Sequence, residues 1–296
     1  MKKHLLLILL LALCACQSRY TAITPADLDN KNVEPTVGAD LLSLKGVSAE
    51  AVDQDVVVTV HGYTATPYEN KAILDHLTAR GLLGSRVMLG AHGTDIEEFE
   101  KSTWRDWQKP LESELDLLEA SGYQHLNVLT TSTGGPLLLE LLSRKSYPHL
   151  EKIVMVAPLL EFSNKTFQFV NAVKFLGIRS LPNDLKGHAV GNWYHERPLT
   201  TLSQLSSLSA LMRQKLDKGL PLPPQVEVLI IQSRNDGTVD PISAALLAQG
   251  LKAKLKIRIV DSSLHIPTAP YPDWKPADYL LKDQLFSEIT NFLDRP

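Results

Sequence analysis

Cysteine is almost absent. The 296 residues hold two, Cys14 and Cys16, and both lie in the first sixteen positions. The rest of the chain therefore has no disulfide framework, no cysteine-ligated metal and no thiol nucleophile. Charge of one sign is also missing. The net charge is −3, with 21% charged residues and no long like-charged run. Nucleic acid is excluded as a partner on that ground, since it wants a concentrated basic face. No internal repeat or low-complexity tract breaks the chain. The nine histidines are scattered. None pairs at zinc-ligand spacing with a third ligand nearby, so no metal is expected. The 44% hydrophobic content is that of an ordinary globular chain. The length suits one large α/β domain or two small ones.

The first residues differ from the rest. Lys2 and Lys3 precede an unbroken apolar stretch, Leu5 to Leu13. That stretch is about half of what a membrane-spanning helix needs, and it suits the apolar region of a signal peptide over residues 1–15. Leu13-Cys14-Ala15-Cys16 resembles a bacterial lipobox. The resemblance implies cleavage before Cys16, diacylation of Cys16 and attachment to a membrane through an N-terminal lipid anchor. Cys14 fits less well, because Leu13 would stand where a small residue is wanted. A plain signal peptide with an incidental Cys16 is the alternative. Gln17 follows rather than Asp. By resemblance to Gram-negative lipoproteins, this favours the outer membrane within a bacterial cell envelope. Residues 16–40 are polar, with Pro25, Pro35 and Gly38 and no period, and read as a lipidated N-terminus and tether. The expected folded domain is 41–296.

Strand and helix signals then alternate. Val56–Val60, Arg86–Leu89, Leu126–Thr130, Ile153–Val156, Val226–Ile231 and Leu255–Val260 read as strands. Helical spacing marks Tyr68–Leu82, Pro110–Ala120, Pro136–Leu142 and Leu280–Leu293, and a further helix should begin near Pro241. Gly81 and Gly84 punctuate the end of the first helix. The pattern predicts an α/β fold with a mainly parallel central sheet covered by helices, its site at the C-terminal strand ends. Residues 158–222 break the rhythm. They are rich in Leu, Ser and Phe without a clear strand, and read as a helical cap insertion.

Four segments after strands carry chemistry. Thr130-Thr131-Ser132-Thr133-Gly134-Gly135 has the context of a nucleophile elbow, with Ser132 raised on a tight turn and the Thr133 N–H at a helix start. Thr130 stands where the usual pattern has glycine. His61-Gly62-Tyr63-Thr64 follows the first strand and offers the Tyr63 N–H as a second oxyanion donor, with His61 expected to be structural. Asp236 and Asp240 compete as the carboxylate that fixes a histidine tautomer. Asp240 precedes Pro241 at a helix start and is better explained as a cap, so Asp236 is favoured. His265 follows the last strand on a loop. The order Ser132, Asp236, His265 on successive strand ends is the α/β-hydrolase order.

At these residues the chain resembles the carboxylesterase and monoacylglycerol-lipase (serine aminopeptidase-like) branch of the α/β-hydrolases. The matching stretches are His61–Thr64, Ala91-His92-Gly93, Trp104-Arg105-Asp106-Trp107, the Ser132 turn, the Asp236 loop with Val239, and Ser263-Leu264-His265. The resemblance runs from about residue 55 to the C-terminus. It implies a triad of Ser132, Asp236 and His265, an oxyanion hole from Tyr63 and Thr133, and no cofactor. It also implies a small-molecule ester or lipid substrate, with short- to medium-chain acyl groups or a monoacylglycerol. Phe162, Phe167, Phe169, Phe175, Trp193 and Tyr194 form either a small core of the cap or part of an apolar acyl pocket. A thioesterase, a peptidase, an acyltransferase or a non-catalytic binding module remains open on the same fold.

Overall fold

The computed structural model describes residues 38–45, 50–164, 177–183, 185, 191–269 and 275–295. The expected signal peptide, Cys16, most of the tether, and Phe167, Phe169 and Phe175 lie outside the described residues. In chain order the strands are β1 (Asp55–Val60), β2 (Leu83–Val87), β3 (His125–Thr131), β4 (Leu150–Val156), β5 (Ser180–Pro182), β6 (Glu196–Pro198), β7 (Leu220–Pro221), β8 (Glu227–Ser233), β9 (Leu251–Lys252) and β10 (Lys254–Val260). The helices are α1 (Lys71–Thr78), α2 (Ile96–Lys101), α3 (Trp104–Ala120), α4 (Gly134–Leu142), α5 (Leu199–Asp217), α6 (Ile242–Gly250) and α7 (Pro276–Leu293). Among the described residues no helix is long and apolar enough to cross a membrane.

Six strands form one sheet in the order β10-β8-β4-β3-β1-β2, and every pair in it is parallel. Strands buried on both faces explain the unbroken Val56–Val58 run. Val56, Val58 and Val60 join a core with Trp107, Leu111 and Leu115 of α3 and Leu137–Leu139 of α4. Val57 points the other way, to a core with Ile73 and Leu77 of α1 and Leu285 and Ile289 of α7. The side-chain period of two thus splits one apolar run between two cores, each fully buried Val or Leu contributing about 1.5–3 kcal/mol.

The second strand signal shifts. The sequence places a strand over Arg86–Leu89, but β2 spans Leu83–Val87 and takes in Gly84. Gly84 is a packing position rather than a stop. A Cβ there would stand 2.8 Å from Thr78 Cγ2 and 3.0 Å from Leu74 Cδ1, so its absence lets α1 lie close on the strand. α3 begins at Trp104, well before the expected Pro110, because Thr103 and Asp106 form a capping box there. The insertion after β4 is not wholly helical. Its described part holds the long helix α5 and an antiparallel ribbon of β5 with β6.

Candidate active site

β3 runs to Thr131, and the next residue turns sharply. Ser132 has φ 47°, in the left-handed region, a conformation that costs a non-glycine residue roughly 1–2 kcal/mol. The surroundings hold it there. Its N–H donates to Val156 O at 2.9 Å, and its carbonyl accepts from Leu159 N–H at 3.1 Å and Gly135 N–H at 3.2 Å. Two glycines let the chain turn into α4. A Cβ on Gly134 would stand 2.8 Å from Val60 O, and one on Gly135 would stand 3.0 Å from Pro158 Cβ. Thr130 fits where the usual pattern has glycine. It is fully buried, and its hydroxyl donates to Val154 O at 3.4 Å.

The loop after β1 lies against this turn. A Cβ on Gly62 would stand 3.1 Å from Ser132 Cβ, and Thr64 also has a left-handed φ, 64°. His61 is fully buried. Its Nε2 accepts the Leu89 N–H at 3.0 Å, so Nδ1 carries the proton and donates to Gly62 O at 2.9 Å. Burial pulls its pKa down to about 4, and the ring is a neutral structural link, as expected from the sequence. Tyr63 and Thr133 reach the cavity beside Ser132. Among the described residues neither of their main-chain N–H groups donates to a protein acceptor. The Tyr63 hydroxyl is 2.7 Å from Thr201 Oγ1.

Asp236 follows β8 with its side chain fully buried. Its Oδ1 accepts the N–H groups of Thr238 at 2.8 Å and Val239 at 3.1 Å. Its Oδ2 accepts Gln232 Nε2–H at 3.3 Å and His265 Nδ1–H at 2.8 Å. Asp240 has a different use: its Oδ1 accepts the Ile242 N–H at 3.0 Å where α6 begins. His265, on the loop after β10, opens to the same cavity as Ser132. Ser132 and His265 share that space, and among the described residues the Ser132 hydroxyl has no hydrogen-bond partner. Such bonds are often long before substrate binds. An imidazole fixed by a carboxylate at Nδ1 leaves Nε2 to exchange a proton with a neighbouring hydroxyl.

The cavity measures about 170 Å³. Leu159, Phe162, Trp193, Leu202 and Leu205 supply apolar lining, and Glu69, Asn183 and Arg197 supply polar lining. Of the aromatic groups expected in the insertion, Phe162 and Trp193 line the cavity. Tyr194 instead bonds Ala91 O at 2.9 Å and stacks on Phe99. Glu69 was not legible as a site residue, because a lone acid shortly after Pro67 reads as surface charge. A larger hollow of about 690 Å³ lies by α7 and holds none of the four segments. Among the described residues, Asp55, His125 and Glu151 are grouped closely enough to hold a metal ion. They stand at the starts of β1, β3 and β4, away from Ser132. His125 there pairs with Glu151 at 2.8 Å, and Asp55 pairs with Arg295 at 3.0 Å.

No family model matches the chain. The thermostable monoacylglycerol lipase of Bacillus sp. (strain H-257) is 28% identical over 218 residues, covering 73% of this chain and 84% of that protein. A solved structure from LipS and LipT, two metagenome-derived lipolytic enzymes, superposes with TM-score 0.68 at 20% identity, covering 88% of this chain and 99% of its own. A soluble variant of the monoglyceride lipase of Saccharomyces cerevisiae gives TM-score 0.65 at 13% identity, covering 94% and 96%. Monoacylglycerol lipase of Paleococcus ferrophilus gives 0.63 at 17%, covering 81% and 95%. Near-complete overlap with these structures shows that this chain has the α/β-hydrolase fold.

Proposed function

We propose that the chain is a serine hydrolase of carboxylic esters, acting on monoacylglycerols or other short- to medium-chain acyl esters. The observation that carries this reading is the Asp236–His265 pair at 2.8 Å, opening on the cavity that holds the left-handed Ser132. In this reading Ser132 Oγ attacks the ester carbonyl while His265 Nε2 takes its proton. The tetrahedral oxyanion accepts hydrogen bonds from the Tyr63 and Thr133 N–H groups, and each such donor lowers the barrier by roughly 3–4 kcal/mol. The C–O bond then breaks, His265 protonates the leaving alcohol, and the acyl group stays on Ser132. Water, deprotonated by His265, releases the acid. The name of the Bacillus relative supports the substrate class. The modest cavity favours short acyl chains, since drug-sized ligands need pockets of about 300–1,000 Å³.

The test is hydrolysis of p-nitrophenyl esters from acetate to palmitate by the domain that follows Cys16. Turnover is expected to peak at short to medium chains. Ser132→Ala is expected to lose roughly a million-fold in kcat. Full activity in that variant would overturn the assignment. We further infer that the protein is held in the bacterial cell envelope, at the outer membrane, by lipid on Cys16. Leu13–Cys16 supports this, and Cys16→Ser is expected to move the protein from the membrane fraction to the soluble one; retention on the membrane would remove the anchor.

A further inference from the structure

Glu69 has no part in the proton path from Ser132 through His265 to Asp236, yet it faces the same cavity. It is buried, with 4% exposure, on a 3-10 turn over Pro67–Asn70. A buried carboxyl is costly unless its oxygens find donors. Here Oε2 finds two: the Gly62 N–H at 2.6 Å and the hydroxyl of Thr131. Burial holds the carboxyl pKa above its ordinary range, although these two donors and the charge of His265 offset part of the rise.

The positions of the donors matter. Gly62 immediately precedes Tyr63, and Thr131 immediately precedes Ser132 and Thr133. The two N–H groups assigned to the oxyanion therefore stand on separate segments, one after β1 and one after β3. Those strands pair only as far as Val60 with Thr130. Beyond that register the ladder no longer fixes their spacing, and Glu69 bridges the gap. There is little slack in it. A Cβ on Gly62 would meet Glu69 Oε2 and Ser132 Cβ, each at 3.1 Å.

We propose that Glu69 is a positioning residue that sets the distance between the Tyr63 and Thr133 N–H groups, by holding Gly62 N–H and Thr131 O–H on one carboxyl oxygen. The inference rests on the acyl-transfer reading of Ser132. An oxyanion exists only from the transition state onward, so a loosened hole slows the chemistry and leaves binding of the ester unchanged.

The experiment compares wild type with Glu69→Ala, Glu69→Gln, Thr131→Val and the double variant Glu69→Ala with Thr131→Val. It reads kcat and KM on p-nitrophenyl butyrate, the rate of fluorophosphonate labelling, and the thermal midpoint. Glu69→Ala is expected to lose about 100-fold in kcat with KM nearly unchanged, and labelling is expected to slow in parallel. Glu69→Gln is expected to recover most of the rate, because its amide oxygen accepts the same two donors. Thr131→Val is expected to slow the wild type but to add nothing to Glu69→Ala, since both cut one link. A kcat near wild type in Glu69→Ala overturns the proposal, as does a Gln variant no faster than the Ala variant. If Glu69→Ala does not fold, Thr131→Val decides: a loss in kcat at constant KM supports the proposal, and an unchanged kcat overturns it. A folded wild type with neither turnover nor labelling overturns the Ser132 reading and this one together, whereas an active wild type beside an equally active Glu69→Ala overturns this one alone.

Discussion

His61 follows β1 directly, and burial governs it. Free histidine titrates near 6.5, whereas His61 in the fold titrates near 4. Below pH 6.5 the unfolded chain therefore binds more protons than the folded one. The contribution of His61 to stability is complete above about pH 6.5 and is lost as the pH falls toward 4, to the extent of about 3 kcal/mol. His92 packs edge-on against His61 at 5.2 Å, and burial likewise holds its pKa well below the ordinary value. Urea midpoints measured between pH 7 and pH 4 are expected to fall less steeply in His61→Gln than in wild type, with part of the slope kept by His92. Equal slopes would show that His61 is not the group responsible. Single residues were legible where backbone geometry demanded them. Ser132 stood out as a candidate through its small neighbours and a following helix, and Asp236 was separated from Asp240 because a proline after an acid marks a helix start. Glu69 and Arg197 gave no such signal. Glu69 reaches the cavity from a 3-10 turn and Arg197 from the short strand β6, and no local spacing records where these fold back.

At the scale of elements, the inner strands β1, β3, β4 and β8 were legible because strands buried on both faces are written as largely β-branched and aliphatic runs, whereas the exposed edge strand β10 was legible from its alternation of Lys and Arg with aliphatic residues. The errors have local causes. A glycine in a strand has the same letter as a glycine in a turn, so Gly84 hid the start of β2. Pro110 marked an apparent helix start, yet it lies inside α3. Proline there leaves the Asp106 carbonyl without its usual intrahelical donor. The Gly90 backbone moves into the space: a Cβ on Gly90 would stand only 2.1 Å from that carbonyl oxygen, and the Gly90 N–H donates to Trp107 O at 3.2 Å. The helix thus trades one internal bond for a close approach to the loop after β2. β5 and β6 were not seen, because three-residue strands carry too few positions to show a period of two.

At the scale of the whole molecule, the insertion and the sheet meet at the loop that carries Tyr63. The Tyr194 N–H donates to Thr64 O at 2.9 Å, and Asn183 Nδ2–H donates to Thr64 Oγ1 at 3.3 Å. Thr201 of α5 donates its hydroxyl proton to Pro198 O at 2.9 Å, so the Tyr63 hydroxyl at 2.7 Å must be the donor to Thr201 Oγ1. Burial pushes the phenol pKa up, which keeps that proton in place at any working pH. Tyr63 therefore has two separable duties. In the proposed mechanism its main-chain N–H serves the oxyanion, and its side chain ties the loop to α5. Tyr63→Phe removes the second duty and leaves the first. Loss of one buried hydrogen bond is expected to lower stability by about 1 kcal/mol, read as a drop in urea midpoint, while kcat on a short p-nitrophenyl ester changes only a few-fold, far less than the hundred-fold or more that loss of an oxyanion donor brings. A large fall in kcat with an unchanged midpoint would mean the reverse: that the phenol itself takes part in the chemistry, and that the insertion is not what holds the loop.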